Sequence, residues 1–188
     1  VSMDERGAKR AEILDAVLRV IAVQGMAAVS VRVVAAEAGV SAGRVQHYFA
    51  TKTDLVRAAA AHLIDVAERV HVAAAGSADA RAKLLDLLCQ PIRQAGTSRE
   101  GVGVFYAFVT AGIGDPVIGD LLAETKAGAL REITRLLGEV APGLPDPDAE
   151  AQTLLCLSDG ATQNVLVGAI TPEAGASCLE RTLDRLVP

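Results

Sequence analysis

Cysteine is scarce: Cys89, Cys156 and Cys178 lie far apart, are odd in number and form no CxxC pair. That pattern suggests neither a disulfide framework nor a zinc site, and buried thiols are expected instead. Long apolar runs are missing too. The longest, Gly101 to Gly114, is uncharged but glycine-rich and only about 14 residues, short of a membrane span and suited to a buried helix. The N-terminal VSMDERGAKR is charged where a secretory leader needs an apolar core, so a cytoplasmic location is expected. Strand-like alternation of Val, Ile and Thr between Asn-Gly turns is absent, as are internal repeats and low-complexity segments. The three histidines, His47, His62 and His71, are scattered, with no nucleophile or orienting carboxylate beside them in a catalytic pattern. No enzyme, cofactor or metal site is expected.

What is present is apolar material at helical spacing. Hydrophobic residues make up 51% of the 188, ample for a core, and an all-α fold follows from their periodicity. The formal net charge of −5 argues against indiscriminate polyanion binding, but the charge is unevenly spread. Residues 1–57 carry eight Lys/Arg against six Asp/Glu, and the remainder carries ten against seventeen. The positive excess lies at the N-terminal end, which permits contact with a polyanion there without requiring it.

Taken in order, the first helix is expected from about Ala8 to Gln24, with Ile13, Leu14, Val17, Val20 and Ile21 as its stripe and Gly25 as its stop. Arg6, Lys9 and Arg10 lead into it and are candidates for phosphate contact. Ser30 caps a second helix and Ser41 a third, separated by Gly39. Thr51 and Asp54 form a capping box that opens a fourth helix, running to about Ala75. Gly76-Ser77-Ala78-Asp79 breaks the pattern, and a fifth helix extends to about Ala95, kinked or shortened at Pro91. Gly96 to Gly101 reads as a polar loop and Val102 to Ala111 as a buried sixth helix. Asp115-Pro116 starts a seventh that ends near Val140. Asp146-Pro147 starts an eighth to about Gly168, and Thr171-Pro172-Glu173 a ninth to Leu186.

The stretch from Ser30 to Asp54 carries the chemistry. Two short helices around a glycine turn form a helix-turn-helix pattern, whose second helix can enter a DNA major groove. At 100° per residue, Val45 and Phe49 share the packed side of that helix, Gly43, Arg44 and His47 point away, and Gln46 and Tyr48 sit at the flanks. Arg44 is the best base-reading candidate, because its planar fork can bond guanine O6 and N7 together, worth about 1 to 3 kcal/mol of discrimination. Gln46 is the second, with adenine its natural partner. Ser41, Thr51 and Lys52 are placed to hold phosphate, and Gly43 permits close approach. From periodicity alone these are equally the surface residues of an ordinary helical hairpin.

The run VAAEAGVSAGRVQHYFATKTDL resembles the N-terminal DNA-binding domain of TetR-family transcriptional regulators, and the nine-helix layout is similar over the full chain. The matching positions are Ala35, Ala38, Gly39, Val40, Ser41, Gly43, His47, Tyr48, Phe49, Lys52 and Leu55. Gln46 departs from the pattern, standing where the family often has Tyr. The resemblance implies that the third helix reads the groove while Tyr48 and Lys52 hold phosphates. The DNA-contacting set is then Arg32, Ser41, Ala42, Gly43, Arg44, Gln46, His47, Tyr48, Thr51 and Lys52. It also implies a DNA-binding domain over 1–53 and an effector-binding and dimerisation domain over 54–188.

By the same resemblance, the fifth to seventh helices enclose an effector pocket and the last two pair with a second subunit. Pocket candidates are Cys89, Phe105, Tyr106, Phe108, Thr110, Leu121, Cys156, Asp159 and Gln163, apolar walls with few polar groups. Interface candidates are Leu154, Leu157, Ala161, Val165, Gly168, Leu179 and Leu183. Later segments are spaced similarly to the C-terminal domain of the BetI-like subgroup, a likeness that does not transfer choline as a ligand. The expected protein is a homodimeric repressor that binds a palindromic operator in double-stranded DNA and is released by a small, largely apolar effector. The alternative is an architectural or protein-binding role on the same fold without an effector.

Overall fold

The computed structural model describes residues 3–74 and 79–186. The expected end of the fourth helix at Ala75, the break at Gly76–Ala78 and the side chain of His71 lie outside the described residues. Among the described residues there are nine α-helices, one 3-10 turn at Met26–Ala28 and no strand. The helices are α1 Met3–Gln24, α2 Val31–Glu37, α3 Ala42–Tyr48, α4 Lys52–Ala74, α5 Ala80–Thr97, α6 Arg99–Gly114, α7 Pro116–Val140, α8 Pro147–Leu166 and α9 Pro172–Leu186.

Side-chain caps set most of the starts. Ser30 Oγ accepts from Val33 N, Ser41 Oγ from Arg44 N, Asp79 from Arg81 N and Ala82 N, and Asp146 from Ala149 N. Each satisfies a backbone donor that the first helical turn leaves without a carbonyl. Gly39 has φ of 63°, the left-handed conformation that ends α2 and that a side chain disfavours.

Three boundaries differ from the sequence reading. The first helix begins at Met3 rather than Ala8. The fifth helix runs through Pro91 to Thr97 rather than to Ala95. The segment read as a polar loop, 96–101, is helical apart from Ser98, so α6 starts at Arg99. Gly96 is there for packing rather than for a turn: a Cβ at that position would stand 2.4 Å from Pro172 Cγ.

The chain divides into two compact units, Val1–Val72 with Val104–Leu122, and Ala73–Gly103 with Ala123–Pro188. Compactness therefore does not follow a single cut near residue 53. In the first unit the α1 stripe of Ile13, Leu14, Val17, Val20 and Ile21 is buried with Val34, Val45, Phe49, Leu55, Phe108 and Ile118. The three N-terminal helices complete their core with α4 and with the stretch from α6 into α7. In the second unit Leu84, Leu88 and Ile92 of α5 are buried with Ile133, Leu136 and Leu137 of α7, Leu154 of α8, and Leu179 and Leu183 of α9. Ser158 is buried there, and its hydroxyl donates to the Leu88 carbonyl at 2.6 Å.

This burial corrects part of the interface expectation. Leu154, Ala161, Val165, Leu179 and Leu183 are core residues of their own subunit, spent where α8 packs on α5 and α9. An apolar stripe on a helix is the same signal whether its partner is internal or a second chain. Of that set only half-buried Leu157 and exposed Gly168 keep accessible surface beyond a trace.

Candidate nucleic-acid interface

The candidate surface is assembled on α3. Val45 is fully buried and Phe49 nearly so, which pins one side of this seven-residue helix to the first unit's core. The Val40 amide donates to the Ala35 carbonyl at 2.9 Å, closing the turn before α3. With the helix fixed in roll, Ser41, Ala42, Gly43, Arg44, Gln46 and His47 are all exposed, and Tyr48 is half-buried. The helical-wheel expectation for these side chains holds. Tyr48 is braced by His47, whose ring meets it edge-on at 5.3 Å, and by Phe49 at 6.3 Å.

Charge pairing separates the cations. Lys9 pairs with Glu12 at 2.7 Å, Arg19 with Glu37 at 2.7 Å and Arg57 with Asp115 at 2.9 Å. Among the described residues Arg32, Arg44 and Lys52 have no ion-pair partner and are exposed. Net charge thus understates the positive potential of this surface, because three unneutralised cations are borne by or flank α2 and α3. Arg10 is held in another way, its Cζ 5.3 Å from the centroid of the Phe49 ring. A guanidinium stacked on a ring keeps its charge and its donor edge while losing little freedom. Phe49, the ring it covers, follows Tyr48 directly and lies between α3 and α4. Of the three N-terminal cations considered, Lys9 is internally paired and Arg10 is preorganised.

Two expected phosphate contacts look different in the structure. Thr51 is consumed by the capping box: its amide donates to Asp54 Oδ2 at 3.1 Å and its hydroxyl at 2.8 Å, while Asp54 N donates back to Thr51 Oγ1 at 3.0 Å. The carboxylate beside it would repel a phosphate, whereas Lys52, the next residue, is exposed and has no ion-pair partner. At Ser41, the side-chain oxygen takes the Arg44 amide at 3.2 Å, so that amide is already satisfied.

The pocket candidates divide between the two units. Phe105, Tyr106, Phe108, Thr110 and Leu121 belong to the first, where Phe108 is fully buried core and Thr110 is exposed, its hydroxyl donating to the Tyr106 carbonyl. Cys89, Cys156, Asp159 and Gln163 belong to the second. Cys89 is buried, which pushes its thiol pKa up, whereas Cys156 and Gln163 are exposed. Asp159 is engaged by Lys126, whose Nζ lies 2.5 and 2.7 Å from its two carboxylate oxygens. The sequence reading missed Lys126, because nothing local ties a lysine to a carboxylate 33 residues away. Among the described residues, no helix is long and apolar enough to cross a membrane, and no group of three or more His, Cys, Asp or Glu is arranged to hold a metal.

Comparison with known proteins agrees with this geometry. Residues 13–59 match the model described as bacterial regulatory proteins, tetR family, and residues 80–188 match that of the BetI-type transcriptional repressor C-terminal region. The HTH-type transcriptional regulator BetI of Burkholderia thailandensis is 30% identical over 160 residues, covering 82% of this chain and 80% of that protein. A transcriptional regulator from Saccharomonospora viridis in complex with choline superposes with a TM-score of 0.84 at 25% identity, covering 95% of this chain and 96% of the other. The multidrug binding protein EbrR complexed with ethidium gives 0.70 at 28% identity, covering 96% and 99%.

Proposed function

The chain belongs to the TetR family of bacterial regulatory proteins and is a transcriptional regulator with a helix-turn-helix DNA-binding region, and on that premise we propose that it is a homodimeric repressor of a palindromic operator. Residues 1–53 bind DNA, and 54–188 bind the effector and the second subunit. The observation that carries this reading is the exposed α3 face, where Arg44 and Gln46 stand without a partner side chain, with unpaired Lys52 at the start of the next helix. Arg44 and Gln46 read base edges in the major groove; Arg32, Tyr48 and Lys52 set register on the backbone. The second subunit packs against the outer flanks of α8 and α9, beside Leu157 and Gly168.

Release follows from population shift: a small, largely apolar effector favours a spacing of the two reading heads that no longer matches the operator. To invert a 1:99 equilibrium it must prefer the released state by about 5.5 kcal/mol, so partial derepression takes less. Choline and ethidium, bound by the two neighbours above, are organic cations. In this chain Asp159 is already neutralised by Lys126, which favours an apolar ligand over a cation at that carboxylate.

Footprinting of duplexes selected by the protein from a random pool tests the operator. The expected result is two related half-sites about one helical turn, or a multiple, apart. A single unrepeated contact patch contradicts the dimeric reading. For the effector, a panel of apolar metabolites is screened by thermal shift, where a ligand at 100 times its Kd adds about 2.7 kcal/mol. Stabilisation with loss of operator binding supports repression released by ligand. Silence across the panel favours the architectural role.

A further inference from the structure

We propose that Asp115 and Arg57 form a positioning pair of the DNA-binding apparatus, fixing the first turns of α4 so that Lys52 arrives at a backbone phosphate. This rests on the reading of Lys52 as a phosphate grip. Lys52 is the first residue of α4, and Arg57 stands five residues on, about 7.5 Å along the helix axis. Arg57 Nε donates to both carboxylate oxygens of Asp115, at 3.1 and 2.9 Å. All three residues lie within one compact unit, although 58 positions of sequence separate the pair.

Asp115 is a fixed partner rather than a swinging surface carboxylate. Its Oδ1 also accepts from the Val117 amide at 3.0 Å and the Ile118 amide at 3.5 Å, capping α7, and Ile118 is buried behind it. The α6–α7 corner it sits on is tightly closed, since a Cβ on Gly119 would stand 3.0 Å from the Gly112 carbonyl oxygen. On α4 itself, the buried residues between Leu55 and Ile64 are Ala59 and Ala60. Leu55 anchors the first turn of α4 in the core, but Ala59 and Ala60 present shallow ridges, so packing leaves the roll and slide of the helix beyond it only partly restrained. A charged tie to a rigid corner supplies the missing restraint. A second tie, His62 Nε2 to Asp15 Oδ1 at 2.7 Å, holds the following turns of α4 against α1. The Arg57 guanidinium, followed by the α7 amides, keeps the Asp115 carboxyl below its ordinary range, so the pair stays charged wherever DNA binding is measured.

The test uses Asp115→Asn, since Asn retains an oxygen to cap α7 and removes only the charge facing Arg57. General electrostatics predicts that deleting an acidic charge strengthens DNA binding; positioning predicts the reverse. Binding of the full-length protein to a scrambled duplex is measured against salt concentration, with melting temperature as a fold control. Lys52→Ala should reduce the salt slope by about one per bound subunit. Asp115→Asn and Arg57→Gln should do the same and weaken binding about fivefold or more, while adding nothing in a Lys52→Ala background. Arg57→Lys, which keeps the charge and folds most readily, should fall between wild type and Arg57→Gln. An unchanged slope with a lowered melting temperature overturns the proposal, as do losses that add to that of Lys52→Ala. An unchanged slope for Lys52→Ala itself removes the grip and the proposal with it.

Discussion

Gly43→Ala should make the protein more stable and a poorer DNA binder at once. Gly43 is the second residue of α3, exposed, and nothing lies within 4 Å of a Cβ built there. It also does not have a positive φ. The added methyl therefore meets no steric penalty in the free protein, and only helix propensity remains, which favours Ala over Gly by about 0.5 to 1 kcal/mol. Near a helix start the lower figure applies, a rise in melting temperature of about 1 to 2 °C for a chain of this size. On DNA the same methyl projects from the face that the account places against the groove. Forcing a methyl into a closely fitted contact costs about 1 to 3 kcal/mol, or roughly a 5- to 150-fold loss of affinity. Differential scanning calorimetry and fluorescence-anisotropy titration of a selected duplex read the two effects separately. Gain of stability with undiminished affinity would refute the placement of α3's first turn at the DNA surface. Loss of both would mean that the turn is strained in a way its φ and open surroundings do not show.

Other consequences follow from packing and charge. Val45→Ala, at a fully buried position on α3, should destabilise the protein by about 2 kcal/mol in chemical denaturation and lower DNA affinity through loss of the helix's fixed roll. Arg10→Gln should reduce the salt slope on any duplex without changing base preference, because a cation stacked on Phe49 is preorganised for phosphate and not for base edges; an altered base preference would refute that assignment. Asp115 has a depressed pKa, so the stability it adds is present above the unfolded value and lost as pH falls through the folded one. The melting-temperature gap between wild type and Asp115→Asn should therefore be flat over about pH 5 to 8 and close only below the ordinary carboxyl value of 3.8.

What the sequence revealed was governed by local physics. Ser30, Ser41, Asp79, Asp115 and Asp146 announce helix starts because a cap satisfies amides two or three residues away, inside any short window. The α3 wheel was legible for the same reason, since Val45 and Phe49 fix which side chains face out. Gly96 misled, because a glycine admitted for close approach to Pro172 looks in sequence like one that breaks a helix. Leu154, Leu179 and Leu183 misled in the opposite direction, an apolar stripe being silent about whether its partner belongs to the same chain. The pairs Arg57–Asp115 and Lys126–Asp159 were invisible, because long-range charge pairing depends on the fold and leaves no spacing rule. In sequence Asp115 signals a cap alone, since its partner Arg57 lies 58 positions away.

In the proposed function α3 reads bases through Arg44 while Lys52 at the start of α4 holds the backbone. Titration of Arg44→Ala and Lys52→Ala against the selected operator and its single-base variants, across a range of salt, tests it most directly. Arg44→Ala should lose discrimination at one base pair, worth about 1 to 3 kcal/mol. Lys52→Ala should instead weaken all duplexes alike and lower the salt slope by about one per subunit. Equal weakening of every duplex by both substitutions would contradict it.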